Sequence, residues 1–106
     1  MKKYILIYEK GTPPQSEEEG KMVMQEWMTW FGKLGANMVD GGFPFMDKAM
    51  AIDGTMTEPT KLSQLSGYSI ISAENYEAAL TVAMDCPAIK SGSIINVYEE
   101  MPVMGM

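Results

Sequence analysis

The order in which short apolar runs and longer amphipathic runs follow one another constrains this chain most. Residues 3–9, centred on Tyr4-Ile5-Leu6-Ile7-Tyr8, are rich in β-branched and aromatic types and are closed by Gly11-Thr12-Pro13-Pro14, which cannot continue a ladder. A first strand is expected there. Ser16 followed by Glu17, Glu18 and Glu19 has the form of a capping box, with carboxylates in the first turn, where the helix dipole favours them. Val23, Trp27, Trp30, Phe31 and Leu34 then recur on one helical face, and Lys33 with Gly35 supplies the stop. Residues 38–52 read as an irregular extended stretch broken by Gly41-Gly42 and Pro44, which predicts a bulge or an edge position.

Over residues 53–66 the periodicity vanishes and a loop is expected. Residues 68–72 form a further strand. Tyr76, Ala79, Leu80, Ala83 and Met84 share the face of a second helix, capped by Ser72 or Asn75 and ended by Cys86-Pro87. Residues 93–99 make the last strand and 100–106 a tail. The order β-α-β-β-α-β, with right-handed crossovers, puts both helices on one side of a four-stranded antiparallel sheet, the ferredoxin-like arrangement. A chain of 106 residues without an internal linker is expected to form one domain over residues 1–106.

Strand side chains alternate between faces, so each strand divides by parity. One set, Ile5, Ile7, Ile71, Ala73, Ile95 and Val97, is uniformly aliphatic and is expected beneath the helices. The other is Tyr4, Leu6, Tyr8, Tyr68, Ile70, Ile94, Asn96 and Tyr98, which holds four of the five tyrosines. An open face of that kind marks an interaction surface. Two copies are expected to meet there as a homodimer, with or without a ligand-sized, tyrosine-lined space between their sheets.

Composition removes several functions. There is no histidine, and all 8 basic residues are lysine against 14 carboxylates, for a net charge of −6. Imidazole bases, Ser-His or Cys-His nucleophile pairs and histidine metal ligands are therefore absent. The charge and the missing arginine argue against nucleic acid as a partner. No apolar run is long enough for a membrane span, and Met1-Lys2-Lys3 with its short apolar run is not a signal peptide. The one thiol, Cys86, excludes an intrachain disulfide and fits a reducing compartment, so a cytoplasmic location is expected. No phosphate loop or cofactor motif is present.

Several segments together resemble the YCII-related family, in particular its branch containing the DGPF-domain proteins. They are Met24-Gln25-Glu26-Trp27-Met28-Thr29-Trp30, Gly41-Gly42-Phe43-Pro44, Gly67-Tyr68, Glu77-Ala78-Ala79, Cys86-Pro87 and Gly92-Ser93-Ile94. The resemblance covers nearly the whole chain and implies a dimeric α+β barrel. The sequence also departs from that family. Val23 stands where a first-helix histidine is common, Asp53-Gly54-Thr55-Met56 replaces Asp-Gly-Pro-Phe, and the last strand ends Val97-Tyr98-Glu99-Glu100 where an arginine is common. The resemblance therefore carries the fold and not the family's chemistry.

Asp40, beside two glycines that permit close approach, is the one candidate catalytic carboxylate, against the plainer reading of a solvated turn aspartate. Candidate ligand-binding residues are Tyr4, Tyr8, Trp27, Asp40, Phe43, Tyr68, Asn96 and Tyr98. Trp27 and Trp30 also fit a plain core role, Glu26 a helix surface, and Cys86 a small buried packing residue. The 12 methionines fit adaptable packing better than a soft-metal site at Met101, Met104 and Met106. The leading expectation is a homodimer that binds a small organic molecule near the sheet–sheet interface. A lyase, isomerase or dehalogenase using Asp40 with a tyrosine is the alternative, and a regulatory interaction module, which the family resemblance allows, is a third.

Overall fold

A computed structural model describes residues 1–50, 52, 54, 60–62 and 64–102. The elements are β1 (Lys2–Glu9), α1 (Glu17–Leu34), β2 (Met38–Asp40), β3 (Lys48–Met50), β4 (Thr60–Leu62), β5 (Leu65–Ala73), α2 (Tyr76–Met84), α3 (Pro87–Lys90) and β6 (Ile94–Glu99). The main sheet has the order β2-β5-β1-β6 with every neighbouring pair antiparallel. This is the expected ferredoxin-like α+β arrangement. Both helix starts are set by short polar side chains: Ser16 Oγ accepts from the Glu19 amide, and Asn75, rather than Ser72, accepts from the Ala78 amide. Gly35, at φ 52°, closes α1.

Three features were not expected. A separate two-stranded sheet pairs β3 with β4, and β5 begins at Leu65. Three-residue strands are too short to show alternation, and Ser66-Gly67 hides the start of β5. Pro87 also opens the short helix α3 instead of simply ending α2, as its fixed φ suits a first helical position. Of the Asp-Gly segment, Asp53, Thr55 and Met56 lie outside the described residues, as do Met104 and Met106 of the tail.

The helices pack on one face of the main sheet. Trp30 of α1 donates from its indole nitrogen to the Val82 carbonyl of α2 at 3.2 Å. The core is Tyr4, Leu6, Tyr8, Ile71 and Ala73 from the sheet with Trp30, Ala79, Ala83, Cys86 and Ala88 from the helices, and Ile95 and Val97 pack against it. For β5 and β6 the parity reading therefore holds. For β1 it is reversed: Tyr4, Leu6 and Tyr8 lie under the helices, while Ile5 and Ile7 pair with Ile70, Tyr98, Tyr68 and Asn96 on the open face. The inversion is possible because each phenol has an interior partner. Tyr4 donates to Glu99 Oε1 at 2.8 Å and Tyr8 donates to Ser69 Oγ at 2.7 Å.

At the sheet edge, β2 pairs Met38 with Ile71 and Asp40 with Ile70, so Val39 is the extra residue of a bulge. Gly42 follows at φ 76°, packed so closely on β5 that a Cβ would sit 1.7 Å from the Tyr68 carbonyl oxygen.

Two glycines test this packing. Gly42→Ala should lower stability by about 2 kcal/mol or more, since it adds left-handed strain to a backbone clash. Gly32→Ala, in open space on α1, should be neutral or stabilise by about 0.5–1 kcal/mol. Urea-unfolding midpoints compare the two directly. The tyrosines set an alkaline limit. Burial, then the hydrogen bond to Glu99 and its charge, pushes Tyr4 up from 10.0 to about 12, and burial likewise pushes Tyr8 up. Above pH 10 the unfolded chain releases these protons first. Stability should thus be whole below pH 10 and decline as pH rises from 10 towards 12, less steeply in Tyr4→Phe. An identical pH slope in the variant would contradict the assignment.

Candidate functional site

The bulge at Val39 decides which way Asp40 faces. Along a regular strand Met38 and Asp40 would share a face, but the one-residue slip leaves Met38 packed against the core and sends Asp40 to the open side beside Ile70. Both carboxylate oxygens are then held. Oδ1 accepts from the Gly42 amide at 2.8 Å, and Oδ2 accepts from the Tyr68 hydroxyl at 2.9 Å. The hydrogen bond to Asp40 raises the Tyr68 pKa, with burial and the Asp40 charge adding to it. The phenol therefore stays protonated and its proton is committed to the carboxylate.

Aromatic side chains surround this pair. Phe43 stands edge-on to Tyr68 with centroids 5.0 Å apart, Phe45 stacks on Tyr68 at 6.1 Å, and Phe43 meets Phe45 at 5.9 Å. The segment is stitched to β5 by the Pro44–Gly67 bridge and by the Phe45 amide donating to the Ser66 carbonyl at 3.0 Å. Phe43 remains 61% exposed while packing against the Tyr68 ring whose hydroxyl holds the Asp40 carboxylate. Asp40, Phe43 and Tyr68, all expected from the sequence, thus form one corner.

The other expected residues lie elsewhere. Tyr4, Tyr8 and Trp27 sit on the helix side, Tyr8 crosswise against Trp27 at 5.5 Å and Tyr4 against Tyr76 at 5.2 Å. They cannot line an open-face pocket, and that expectation is corrected. Asn96 and Tyr98 are on the open face but on β6, three strands from β2 and so about 14 Å away at ordinary strand spacing. Asn96 donates to the Ile7 carbonyl and to Glu9, which anchors it to its own sheet.

Glu26 pairs with Lys90 at 2.6 Å on the helix surface. Cys86 is buried, and burial pushes its thiol up to about 11, so it carries little thiolate at neutral pH. Among the described residues no group of three His, Cys, Asp or Glu side chains is arranged to hold a metal. Two surface clefts of about 380 and 450 Å³ flank the Lys33–Asp85 ion pair on the helix side, and Asp40 is in neither wall.

Sequence reasoning missed Phe45 and Ser69. Phe45 follows Phe43 across Pro44 at strand spacing, a usable signal. Ser69 is the lone polar residue in the inward set of β5, fully buried between Tyr8 and the Gly41 carbonyl.

No family model matches the chain, and no curated protein sequence matches it. A solved structure that does match is 5-chloro-2-hydroxyhydroquinone dehydrochlorinase from Burkholderia phenoliruptrix AC1100, in complex with 2,5-dihydroxybenzoquinone. The two chains are 19% identical, the match covers 96% of this chain and 95% of the other, and the TM-score is 0.53. The chain is similar to that enzyme in fold, sharing its ferredoxin-like α+β architecture.

Proposed function

We propose that this chain is a homodimeric member of the YCII-like proteins that binds a small, flat organic molecule on the Asp40, Phe43, Phe45 and Tyr68 corner. The observation that carries the reading is the 2.9 Å hydrogen bond from Tyr68 to Asp40 beside an exposed ring. With the Tyr68 proton committed, both polar side chains of the corner offer acceptors. The favoured ligand therefore brings its own donor, a phenolic hydroxyl or an aromatic amine, and stacks its ring on Phe43. A carboxylate ligand would face Asp40 in a chain of net charge −6 without arginine.

The matched dehydrochlorinase, with its bound dihydroxybenzoquinone, favours a second use of the same corner. Asp40 would carry a proton from one ring hydroxyl to the halogen-bearing ring carbon. Loss of a second hydroxyl proton to Asp40 would then expel halide from that carbon as the ring becomes a quinone, with Tyr68 steadying the charge on oxygen.

Support for the second copy comes from the open face. On that face Ile94 and Tyr98 are exposed and Ile5, Ile7 and Ile70 are half-buried, and the molecule is only 18 Å through its thin direction.

Calorimetric titration with phenol, aniline and benzoate tests the ligand. Phenol or aniline should bind and benzoate should not. Asp40→Asn should weaken the complex by about ten- to a hundredfold, the worth of a hydrogen bond to a charged group. Equal affinity in wild type and variant would remove the corner as the site. Light scattering at low micromolar concentration should report a dimer, and Ile7→Lys, which puts a charge in the middle of the open face, should weaken it at least tenfold. A wild-type monomer would defeat the pairing.

A further inference from the structure

Asp40 is exposed, yet the group that aims it is anchored inside the protein. The peptide unit joining Gly41 to Gly42 has its two ends in different surroundings. Its carbonyl, the Gly41 oxygen, accepts from Ser69 Oγ at 2.8 Å on the buried side. Its amide, the Gly42 N–H, donates to Asp40 Oδ1 at 2.8 Å. In a trans peptide these two groups point in opposite directions, so fixing one aims the other.

Ser69 is itself held from behind. It is fully buried, and its oxygen accepts from the Tyr8 hydroxyl at 2.7 Å. The Tyr8 ring in turn packs crosswise against Trp27, with centroids 5.5 Å apart. A continuous run of donors and acceptors therefore passes from Tyr8 through Ser69 and the Gly41–Gly42 peptide to Asp40, and meets Tyr68 at the second carboxylate oxygen. Consecutive residues of β5, Tyr68 on the open face and Ser69 on the helix face, grip the Asp40–Gly42 segment from its two sides.

We propose that Ser69, backed by Tyr8, is the positioning residue of the Asp40–Tyr68 pair: its hydroxyl fixes the Gly41–Gly42 peptide so that the Gly42 amide holds the carboxylate in reach of the Tyr68 phenol. The role of that pair in binding rests on the function proposed above, but the positioning is read without any ligand. Gly42 cannot relax to compensate, because it lies against the Tyr68 carbonyl. The neighbouring Gly41 is confined as well, with the Phe31 ring 3.4 Å from where a Cβ would stand.

The test is the ionisation of Tyr68, followed by carbon-13 NMR of ring-labelled tyrosine in the full chain and assigned by the signal lost in Tyr68→Phe. In the wild type Tyr68 should titrate above the ordinary 10.0, because its proton is held by Asp40. In Ser69→Ala its midpoint should fall towards 10.0, and Ser69→Thr, which keeps the hydroxyl, should restore it. Tyr4, bonded to Glu99 at the other end of β1, should not move and reports any general loosening. Should Ser69→Ala fail to fold because the Tyr8 hydroxyl is stranded, the double variant Tyr8→Phe with Ser69→Ala removes both hydroxyls and is read in the same way. A Tyr68 midpoint unchanged from wild type in a folded variant overturns the proposal. Failure of phenol or aniline to bind would remove the ligand reading and leave this result standing, so the two are separable.

Discussion

The rest of the fold hangs on how β1 is filled. It is the strand paired on both sides along its length, with β5 and with β6, and it brings Tyr4, Leu6 and Tyr8 under the helices. Two phenols in an interior are tolerable only if each hydroxyl meets an acceptor, since a stranded buried hydroxyl costs about 1–3 kcal/mol. Glu99 serves Tyr4 at one end, and Ser69 serves Tyr8 at the other. Those two bonds fix the ends of the sheet against each other and leave no unpartnered buried side-chain oxygen or nitrogen among the described residues.

Much of this architecture is visible in the sequence because its causes are local. Ser16 and Asn75 are short acceptors placed before helical runs, Gly35 supplies a left-handed stop, and Gly41-Gly42 with Pro44 breaks an edge strand. The facing of β1 is a different matter. Both of its parity sets are apolar, Ile5 and Ile7 in one and Tyr4, Leu6 and Tyr8 in the other, so alternation carries no sign. Choosing between them needs the location of Glu99 and Ser69 in space. A preference for aliphatic interiors picks the wrong face when a sheet can satisfy its phenols internally.

The candidate corner was partly legible for the same reason. Asp40, Phe43 and Tyr68 stand out as polar or aromatic residues beside glycine, but that they belong together depends on the Val39 bulge, which turns Asp40 over relative to Met38. The glycines and the proline announce a bulge or an edge, but not that Val39 is the residue that slips. Ser69 is harder still to find, because a single serine in a strand reads as weak alternation until its neighbours across the sheet are known. Tyr4, Tyr8 and Trp27, expected among the same ligand-binding residues, lie on the helix side of the sheet, away from the corner.

An aspartate at a solvent-facing edge ordinarily gains little by staying in one orientation, since a surface hydrogen bond is worth about 1 kcal/mol and water competes for it. Asp40 differs in having its two oxygens met by donors that are themselves immobilised. The Gly42 amide is set by a carbonyl buried on the far side of the sheet edge, and the Tyr68 phenol is flanked by two phenylalanine rings. Little ordering cost then falls on any molecule that uses the carboxylate, because the protein core has already met it during folding. The chemistry of the open face is thereby tied to Tyr8 and Ser69 on the closed one, and a change in helix packing over Tyr8 reaches the carboxylate through a single peptide plane.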